Sequence, residues 1–479
     1  MFSRRKPIFF SSLYLVIENR TNIRYNGITK TWKVVLKMAT REDGTHIKGT
    51  KKSLPDGWIT SGFRFAIVPT EEQATRLEQA FGCERKVYNE YIAGLYEYLE
   101  GIGFEGGLIR YQVPSYTTIT AQYDYLDKSN DSFVYNDAKM RFQAAIQKYN
   151  EEYAKKPMQY KKSVRKKMKT IGYIPTIRDI KGVPKFHSKK QGKLSYTTNQ
   201  TNGNIKIRQE NGECFLCIPK FKEGISMILH RDVPADGVIK KATVKREGTR
   251  YMVSLSIDYP FKVPQPQEDL SPDDVIGLDY SQEQLYVDSN GHIAGYTRYH
   301  KIIENRQRRM NQSLARKKNN AKTDEKGNIL YSKNYQKQVR KYQKVMAKVK
   351  NKRRDTFHKM TNQITNDYQA VVVEDIDLRN LAQCLRLGKK LHDNGFGLFR
   401  TILKYKCERK GKYYIVADKY FASSKICNCC GNKKDKLTLS ERIYRCTECG
   451  TKTDRDYNAA LNLKQYGTHV LKEMSVLSA

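Results

Sequence analysis

The sequence predicts an α+β protein built from several domains, and three observations predict it. Between residues 193 and 258 the apolar side chains alternate with a period of two, as in short strands. Before that segment the apolar residues have helical spacing. After Pro260–Pro272, which contains four prolines, buried-looking strands alternate with helices. A chain of 479 residues is long enough for two or three such domains.

The part that precedes the alternating segment is predicted to combine one strand with several helices. The strand begins at Ser61 and ends at Pro69, where the alternation stops. Thr70 and Gln73 then have the spacing of a capping box at the start of a helix. Two further helical stretches follow, at about 84–100 and at 134–156.

The alternating segment predicts six short strands that are separated by turns containing Gly or Asn. Such spacing is typical of a small β-barrel or sandwich. The predicted strands are Leu194–Thr198, Ile205–Ile207, Cys214–Ile218, Ile225–Leu229, Val238–Val244 and Tyr251–Ile257.

The part that follows the prolines predicts an α/β domain. Short apolar runs indicate its strands, and longer stretches between them are compatible with helices. The predicted strands are Val275–Tyr280, Gln284–Asp288, Ala370–Glu374 and Tyr413–Ala417. The predicted helices lie within 301–360, with a break near Asn319–Asn328, and at Gly395–Cys407 and Asp456–Tyr466.

The charge of the chain points to a polyanionic partner. Lys and Arg number 88 and Asp and Glu number 50, which gives a net charge of +38. Nucleic acid is the first candidate, and an anionic membrane surface is the rival. No run of about 18 apolar residues is present, which argues against a membrane span. Ile8–Ile17 resembles part of a signal peptide but lacks a cleavage site, so we expect a cytoplasmic protein without a membrane partner.

Cysteine spacing predicts one structural zinc site. Cys427 and Cys430 form one C-x2-C pair, and Cys446 and Cys449 form a second after fifteen intervening residues. Four thiolates at this spacing can close a tetrahedral shell around Zn²⁺ and leave no open position for catalysis. The alternative is four unrelated thiols. A glycine follows each pair, as a turn with positive φ often requires, and Cys429 has no counterpart in the second turn.

Three acidic residues occupy positions where metal ligands are common. Asp279 and Glu374 each lie at the end of an apolar strand, and Asp456 lies at the start of the last helix. Ligands at the carboxyl ends of strands in an open α/β sheet face one crevice. Three carboxylates there could hold two Mg²⁺ or Mn²⁺ ions. From spacing alone, each acid could equally be a helix cap or part of a surface ion pair.

The segment 301–360 is strongly basic, with 20 Lys or Arg residues against 4 Asp or Glu residues. A solvated charged helix is the alternative interpretation, but such an unbalanced helix repels itself. We therefore predict a phosphate-binding surface. The candidate contacts are Arg306, Arg308, Arg309, Arg316, Lys317, Lys318, Arg353 and Arg354.

These signals, in this order, resemble TnpB, the transposon-associated RNA-guided nuclease, and the compact type V CRISPR effectors related to it. The matching motifs span roughly 62–466. They are Phe63-Arg-Phe-Ala-Ile-Val-Pro-Thr-Glu-Glu-Gln, Val183-Pro-Lys-Phe-His, Ile276-Gly-Leu-Asp279, Asn351-Lys-Arg-Arg, Val372-Val-Glu374, Ser423-Ser-Lys-Ile-Cys and Asp454-Arg-Asp456-Tyr-Asn-Ala-Ala. Tyr280-Ser281 departs from the Leu-Gly that often follows the first Asp in the family.

The resemblance implies a two-lobed protein with the following domains. Residues 1–60 are an extension of unknown role, and 61–258 form a wedge β-barrel with a helical recognition insert. Residues 259–422 carry the first two motifs of an RNase H-like RuvC nuclease, 423–452 form an inserted zinc ribbon, and 453–479 carry the last motif and the tail. Asp456 is then the third metal ligand, and Asp454 is a cap or a supporting group.

The implied activity is RNA-guided cleavage of double-stranded target DNA by two-metal chemistry. The guide is either a transposon-end RNA or a crRNA, and the protein acts as a monomer or as a homodimer on one RNA. When bound to its target, the protein would associate with the prokaryotic nucleoid. Two alternatives are an RNA-guided repressor that does not cut, and a zinc-ribbon RNA-binding protein with no DNA role.

Overall fold

The computed structural model describes residues 54–157, 160, 162–188, 194–325, 329–378, 381, 388, 393–438, 440–474 and 476. The predictions for 1–60 therefore lie outside the described residues except at 54–60. The described residues divide into two compact units, one of Trp58–Phe261 and one that consists of the described residues from Lys262 onward together with 54–57. The finer domain boundaries stay predictions.

The unit Trp58–Phe261 contains a seven-stranded antiparallel sheet. In this sheet β1, which carries the buried residues Phe63, Phe65 and Ile67, pairs with β7 and β5. The recorded pairings give the open order β2-β6-β7-β1-β5-β4-β3, so a closed barrel stays a prediction. The strands are β1 (Trp58–Val68), β2 (Ser195–Asn199), β3 (Lys206–Glu210), β4 (Glu213–Ile218), β5 (Phe221–Ile228), β6 (Val238–Glu247) and β7 (Arg250–Pro260).

Four α-helices lie in the described part of this unit, and the first corrects the sequence-based prediction. The helices are α1 (Glu71–Gly101), α2 (Tyr116–Thr120), α3 (Ser132–Lys155) and α4 (Lys162–Ile171). The capping box at Thr70 and Gln73 is confirmed. The two helical stretches expected at 70–81 and 84–100 are one continuous helix, because burial on both sides of Gly82 outweighs the roughly 1 kcal/mol that a helical glycine costs. Arg141 of α3 pairs with the buried Glu84 of α1 at 2.5 Å.

The second unit contains a four-stranded sheet in the order β13-β12-β8-β9. Strands β8, β12 and β13 are parallel, and β9 is antiparallel to β8. The strands are β8 (Val275–Tyr280), β9 (Tyr286–Asp288), β12 (Ala370–Glu374) and β13 (Tyr413–Ala417). These strands confirm the predicted α/β pattern, and the α+β class of the whole chain is confirmed with them.

Helices cover both faces of this sheet. The helices of the described part are α5 (Tyr299–Asn319), α6 (Lys333–Asp367), α7 (Phe396–Arg409) and α8 (Arg455–Glu473). Helices α6 and α7 pack on one face and α8 on the other. Alternate residues of β8 and β12 pack in opposite cores, as the two-residue period of a strand requires. Ile276 and Val371 lie in the core with α6 and α7, whereas Val275 and Val372 lie in the core with Leu463 of α8.

The basic segment forms two helices, as predicted. The break between α5 and α6 is a small hairpin of β10 (Lys322–Thr323) and β11 (Ile329–Leu330). The two helices contact each other through the hydroxyls of Tyr299 and Thr356, which lie 2.8 Å apart. No helix among the described residues is long and apolar enough to cross a membrane.

Helix α8 lies unusually close to the sheet. A Cβ atom at Gly277 would lie 2.2 Å from the carbonyl oxygen of Ala460, and one at Gly467 would lie 2.2 Å from Cγ2 of Val372. The sequence predicted that this helix ends at Tyr466, just before Gly467. The helix instead continues to Glu473. Gly467 does not end it, because the absence of a side chain there lets the helix pack closely against the sheet.

We predict that Gly277→Ala lowers the stability of the protein by about 1–3 kcal/mol, because overpacking forces α8 away from β8. Gly295→Ala is the matched control, since its Cβ would meet no heavy atom within 4 Å. Thermal denaturation measures both variants. Equal melting temperatures for the two would show that the contact between β8 and α8 is not tight.

Candidate metal centres

Four cysteine thiols come together in the second unit. Cys427 and Cys430 lie in a turn after Ile426, and Cys446 and Cys449 lie between β14 (Ile443–Arg445) and β15 (Lys452–Asp454). Their sulfur atoms all lie within 4.8 Å of one another, with 3.7 Å between Cys427 and Cys449 and 3.5 Å between Cys430 and Cys446. Sulfur ligands at about 2.3 Å from a tetrahedral zinc ion lie about 3.8 Å apart. The predicted thiols therefore fit a zinc ion.

Local features support the two cysteine turns. Gly431 and Gly450 have φ values of 74° and 70°, as the sequence predicts for these positions. The hydroxyl and backbone of Thr451 lower the pKa of the Cys449 thiol to about 6, which favours the thiolate that binds metal. Cys429 lies outside the group, as predicted. Within the described residues, no other three or more His, Cys, Asp or Glu side chains bring their ligand atoms this close together.

The parallel sheet brings two of the three predicted acids together. Leu278 pairs with Val373 in the ladder between β8 and β12. The next residues, Asp279 and Glu374, therefore emerge side by side at the carboxyl ends of neighbouring strands. By the alternation of side chains along a strand, both belong to the face that α8 covers. Asp456 lies in the first turn of α8.

Electrostatic interactions link the three acids. Burial raises the pKa of Asp279 well above its usual value, and the charges of Glu374 and Asp456 raise it further. Burial also raises the pKa of Glu374, against the effect of a hydrogen bond from Ser423. A divalent cation would offset both the desolvation and the mutual repulsion. The donor set of one buried and two half-buried carboxylates fits Mg²⁺ or Mn²⁺, which prefer oxygen ligands.

The three carboxylates are nevertheless less tightly grouped than the thiols. Their oxygens do not all lie within 4.8 Å of one another. Oδ1 of Asp456 accepts hydrogen bonds from Nε and Nη2 of Arg455 at 3.2 and 3.1 Å. Nη1 of Arg442 lies 3.9 Å from Oδ2 of Asp456. The three predicted acids therefore lie in one region, but their oxygens do not converge on one point.

Asp454 caps the start of α8, which is one of the two roles that the resemblance implies for it. Its Oδ1 accepts hydrogen bonds from the backbone N–H groups of Asp456 and Tyr457 at 2.9 and 3.0 Å. The helix therefore begins one residue before Asp456, which is its second residue rather than its first.

Four further side chains around the acids were not assigned a role by the sequence analysis. Ser423 donates to Oε1 of Glu374 at 2.6 Å, and Arg400 acts on Glu374 electrostatically. Arg442 and Arg455 lie beside Asp456. Ser423 belongs to the motif Ser423-Ser-Lys-Ile-Cys, which was the sequence feature that could have identified it. No spacing points to Arg442, because it approaches Asp456 only through the pairing of β14 with β15.

The predicted phosphate contacts lie on α5 and α6. Six of the eight side chains are exposed, namely Arg306, Arg308, Arg309, Arg316, Lys318 and Arg354. Lys317 is half-buried, as is Arg353, whose Cδ would lie 3.1 Å from a Cβ at Gly395. Arg353 therefore contributes to packing between α6 and the start of α7 as well as to the positive charge.

We predict that Cys446→Ser lowers the zinc content from about one ion per chain to nearly none, because three thiols bind zinc far more weakly than four. Cys429→Ser is the matched control and should keep its zinc. Metal analysis of the purified proteins measures both. Equal zinc loss in the two variants would contradict the assignment of the four ligands.

We predict that Asp279→Asn raises the melting temperature of the metal-free protein at neutral pH. A carboxyl with a raised pKa contributes its stability below the usual value of 3.8, and this contribution is lost as the pH rises through the raised value. The amide carries no charge and avoids this loss. Calorimetry in EDTA across a range of pH measures the effect, and a lower melting temperature for the variant at neutral pH would contradict it.

Comparison with known families places matches along both units. The "Cas12f1-like, TNB domain" model matches residues 396–463, and the "Probable transposase" model of the OrfB/IS605 family matches 258–385. A "Helix-turn-helix domain" model of the same family matches 59–101, where the structure has β1 and the single helix α1.

Individual proteins agree with these matches. A Streptomyces pristinaespiralis protein named "Putative RNA-guided DNA endonuclease" is 27% identical over 416 residues, which are 85% of this chain and 90% of that protein. The TnpB-like protein L79 of Acanthamoeba polyphaga mimivirus is 27% identical over 144 residues, or 29% of this chain and 27% of that protein. A Cas12f1–sgRNA–target DNA complex superposes with a TM-score of 0.46 at 13% identity, over 85% of this chain and 99% of that one. By its family matches and its individual relatives, the chain is similar to TnpB-like and Cas12f1-like proteins, as its motifs predict.

Proposed function

We propose that this protein is an RNA-guided DNA endonuclease that cuts with a RuvC-type centre. One observation carries the proposal. Asp279 and Glu374 lie at the ends of neighbouring parallel strands, and the charge of Asp456, on the helix that covers them, raises the pKa of both. The Streptomyces pristinaespiralis relative that matches 85% of this chain is named for the same activity. The unit Trp58–Phe261 would then supply the wedge barrel and recognition helices.

Asp279, Glu374 and Asp456 would together hold two Mg²⁺ or Mn²⁺ ions. Such ions activate a water for in-line attack on a phosphodiester and stabilise the leaving 3′ oxygen. The protein itself would orient the bound strand beside these carboxylates. Arg442, whose side chain is 64% exposed beside Asp456, is placed to contact a phosphate of the bound strand.

The basic helices α5 and α6 would hold the guide RNA and its heteroduplex with target DNA through phosphate contacts. Such contacts follow shape and charge, whereas base pairing reads the sequence. The four thiols would hold one structural zinc ion in the ribbon. The protein would work in the cytoplasm at the nucleoid, as a monomer or as a homodimer on one RNA.

A second candidate is an RNA-guided DNA-binding repressor that does not cut. The pairing of Asp456 with Arg455 favours it, because a carboxylate held by a guanidinium is less available to a cation. Incubation of the guide complex with a matched plasmid and Mg²⁺ discriminates the two candidates. Cleavage supports the endonuclease, and guide-dependent binding without cleavage supports the repressor.

We predict that Asp279→Ala lowers the rate of target cleavage by about 10³-fold or more, because several kcal/mol of metal-assisted stabilisation are lost. Guide-dependent binding to DNA should remain. Asp273→Ala, which removes a fully exposed carboxylate from the same unit, is the control. Cleavage by the Asp279 variant at the rate of the control would remove this residue from the centre.

We predict that replacing Arg306, Arg308 and Arg309 together by Ala weakens guide binding more at low salt than at high salt. Each lost phosphate contact should lower the slope of log affinity against log salt by about 0.7–0.9. Lys472→Ala removes a cation from α8 and serves as the control. An unchanged slope in the triple variant would place the RNA elsewhere.

A further inference from the structure

We propose that Ser423, Asn458 and Asn462 are positioning residues that tie the first cysteine turn to the nuclease carboxylates. This inference rests on the proposed function of those carboxylates. Closure of the cysteine turns by zinc would then set the affinity of Glu374 and Asp456 for divalent cations.

The first link is the contact between Ser423 and Glu374. Ser423 lies in a 3-10 turn, Ser423–Lys425, and is 1% exposed. Its hydroxyl donates to Oε1 of Glu374 at 2.6 Å. A carboxylate that accepts such a bond through one oxygen is fixed in orientation and keeps its second oxygen for a cation.

The second link joins this turn to helix α8. Nδ2 of Asn462 donates to the carbonyl oxygens of Ser423 and Ile426, at 2.8 and 2.7 Å. Nδ2 of Asn458 donates to the same oxygen of Ile426 at 2.7 Å. The two asparagines are four residues apart and so lie on one face of the helix. They hold the short segment between Ser423 and Ile426 against α8.

The third link reaches the zinc ligands. The backbone N–H of Asn428 donates to Oδ1 of Asn458 at 3.1 Å, and Nδ2 of Asn428 donates to Oδ1 of Asn462 at 3.2 Å. Ile426 and Asn428 flank Cys427. Asn458 and Asn462 therefore hydrogen-bond to the chain on both sides of this zinc ligand. Asp456 lies two residues before Asn458 on the same helix. One network therefore connects Cys427 with both Glu374 and Asp456.

The burial of Asn458 and Asn462 makes the loss of these hydrogen bonds costly. Asn458 and Asn462 are 1% and 2% exposed, and each donates and accepts with good geometry. A buried amide that loses its partners costs about 1–3 kcal/mol, so the network resists partial opening. A shift of the Cys427 turn must accordingly move Ser423 or α8, and with them a carboxylate.

The test is a Mn²⁺ titration of the purified protein, read by the electron paramagnetic resonance of free Mn²⁺. Asp279→Ala should abolish the binding and so assigns it to the carboxylates. Ser423→Ala should raise the half-saturating Mn²⁺ concentration about tenfold, as loss of a supporting hydrogen bond does at other metal centres. Ser423→Thr should restore the wild-type value, and Ser424→Ala is the matched control.

Zinc content and melting temperature are measured alongside, and a purely structural role for Ser423 would change these rather than Mn²⁺ affinity. If Ser423→Ala has a lowered melting temperature, Asn462→Ala is titrated in the same way. Its Mn²⁺ affinity should be weakened by the same factor of about ten. Cys449→Ser, which loses zinc, should weaken Mn²⁺ binding similarly. Cys₄ sites do not take up a hard ion such as Mn²⁺ in place of zinc.

Wild-type Mn²⁺ affinity in a folded Ser423→Ala or Asn462→Ala variant would overturn the role of these residues. Wild-type affinity in zinc-free Cys449→Ser would overturn the tie to the cysteine turn, as would Mn²⁺ binding by Asp279→Ala. The proposed function is tested separately by cleavage. If Mn²⁺ binding to the carboxylates depends on Ser423 but the guide complex never cuts matched DNA, the positioning role stands and the endonuclease fails.

Discussion

Helix α8 and strand β8 approach each other so closely that no side chain fits between them at Gly277. This contact joins three segments that are far apart in the chain. The helix runs opposite to β8 and β12, since Ala460 lies at Gly277 and Gly467 lies near Val275 and Val372. The amino-terminal turn of α8 therefore lies where the two strands end, and Asp456 comes to the same edge of the sheet as Asp279 and Glu374. A bulkier residue at either glycine would separate the acids.

The price of this arrangement is electrostatic. Asp279 is 5% exposed, and like charges stand beside it, so the folded protein disfavours its ionised form. The guanidinium groups of Arg400, Arg442 and Arg455 partly compensate the charges of Glu374 and Asp456. A divalent cation bound by these carboxylates would offset both the desolvation and the repulsion between like charges.

Much of the second unit follows from the sequence. Strands β8, β12 and β13 are short apolar runs, and their parallel order follows from the helices between them. The face that carries both acids also follows from residue parity, since Asp279 is two residues beyond Gly277 and Glu374 is two beyond Val372. Spacing likewise identifies the four thiols. The continuous α1 and the full length of α8 could not be predicted, because Gly82 and Gly467 resemble breaks until their packing is known. The arginines beside Asp456 depend on tertiary contacts that no local pattern encodes.

If three carboxylates from separate segments share divalent ions, anomalous scattering from a crystal of the guide complex grown with Mn²⁺ should reveal the ions. We expect one or two Mn²⁺ peaks in contact with oxygens of Asp279, Glu374 and Asp456, with Asp456 turned away from Arg455. Mn²⁺ bound elsewhere, with the guanidinium of Arg455 still seated on Asp456, would contradict it.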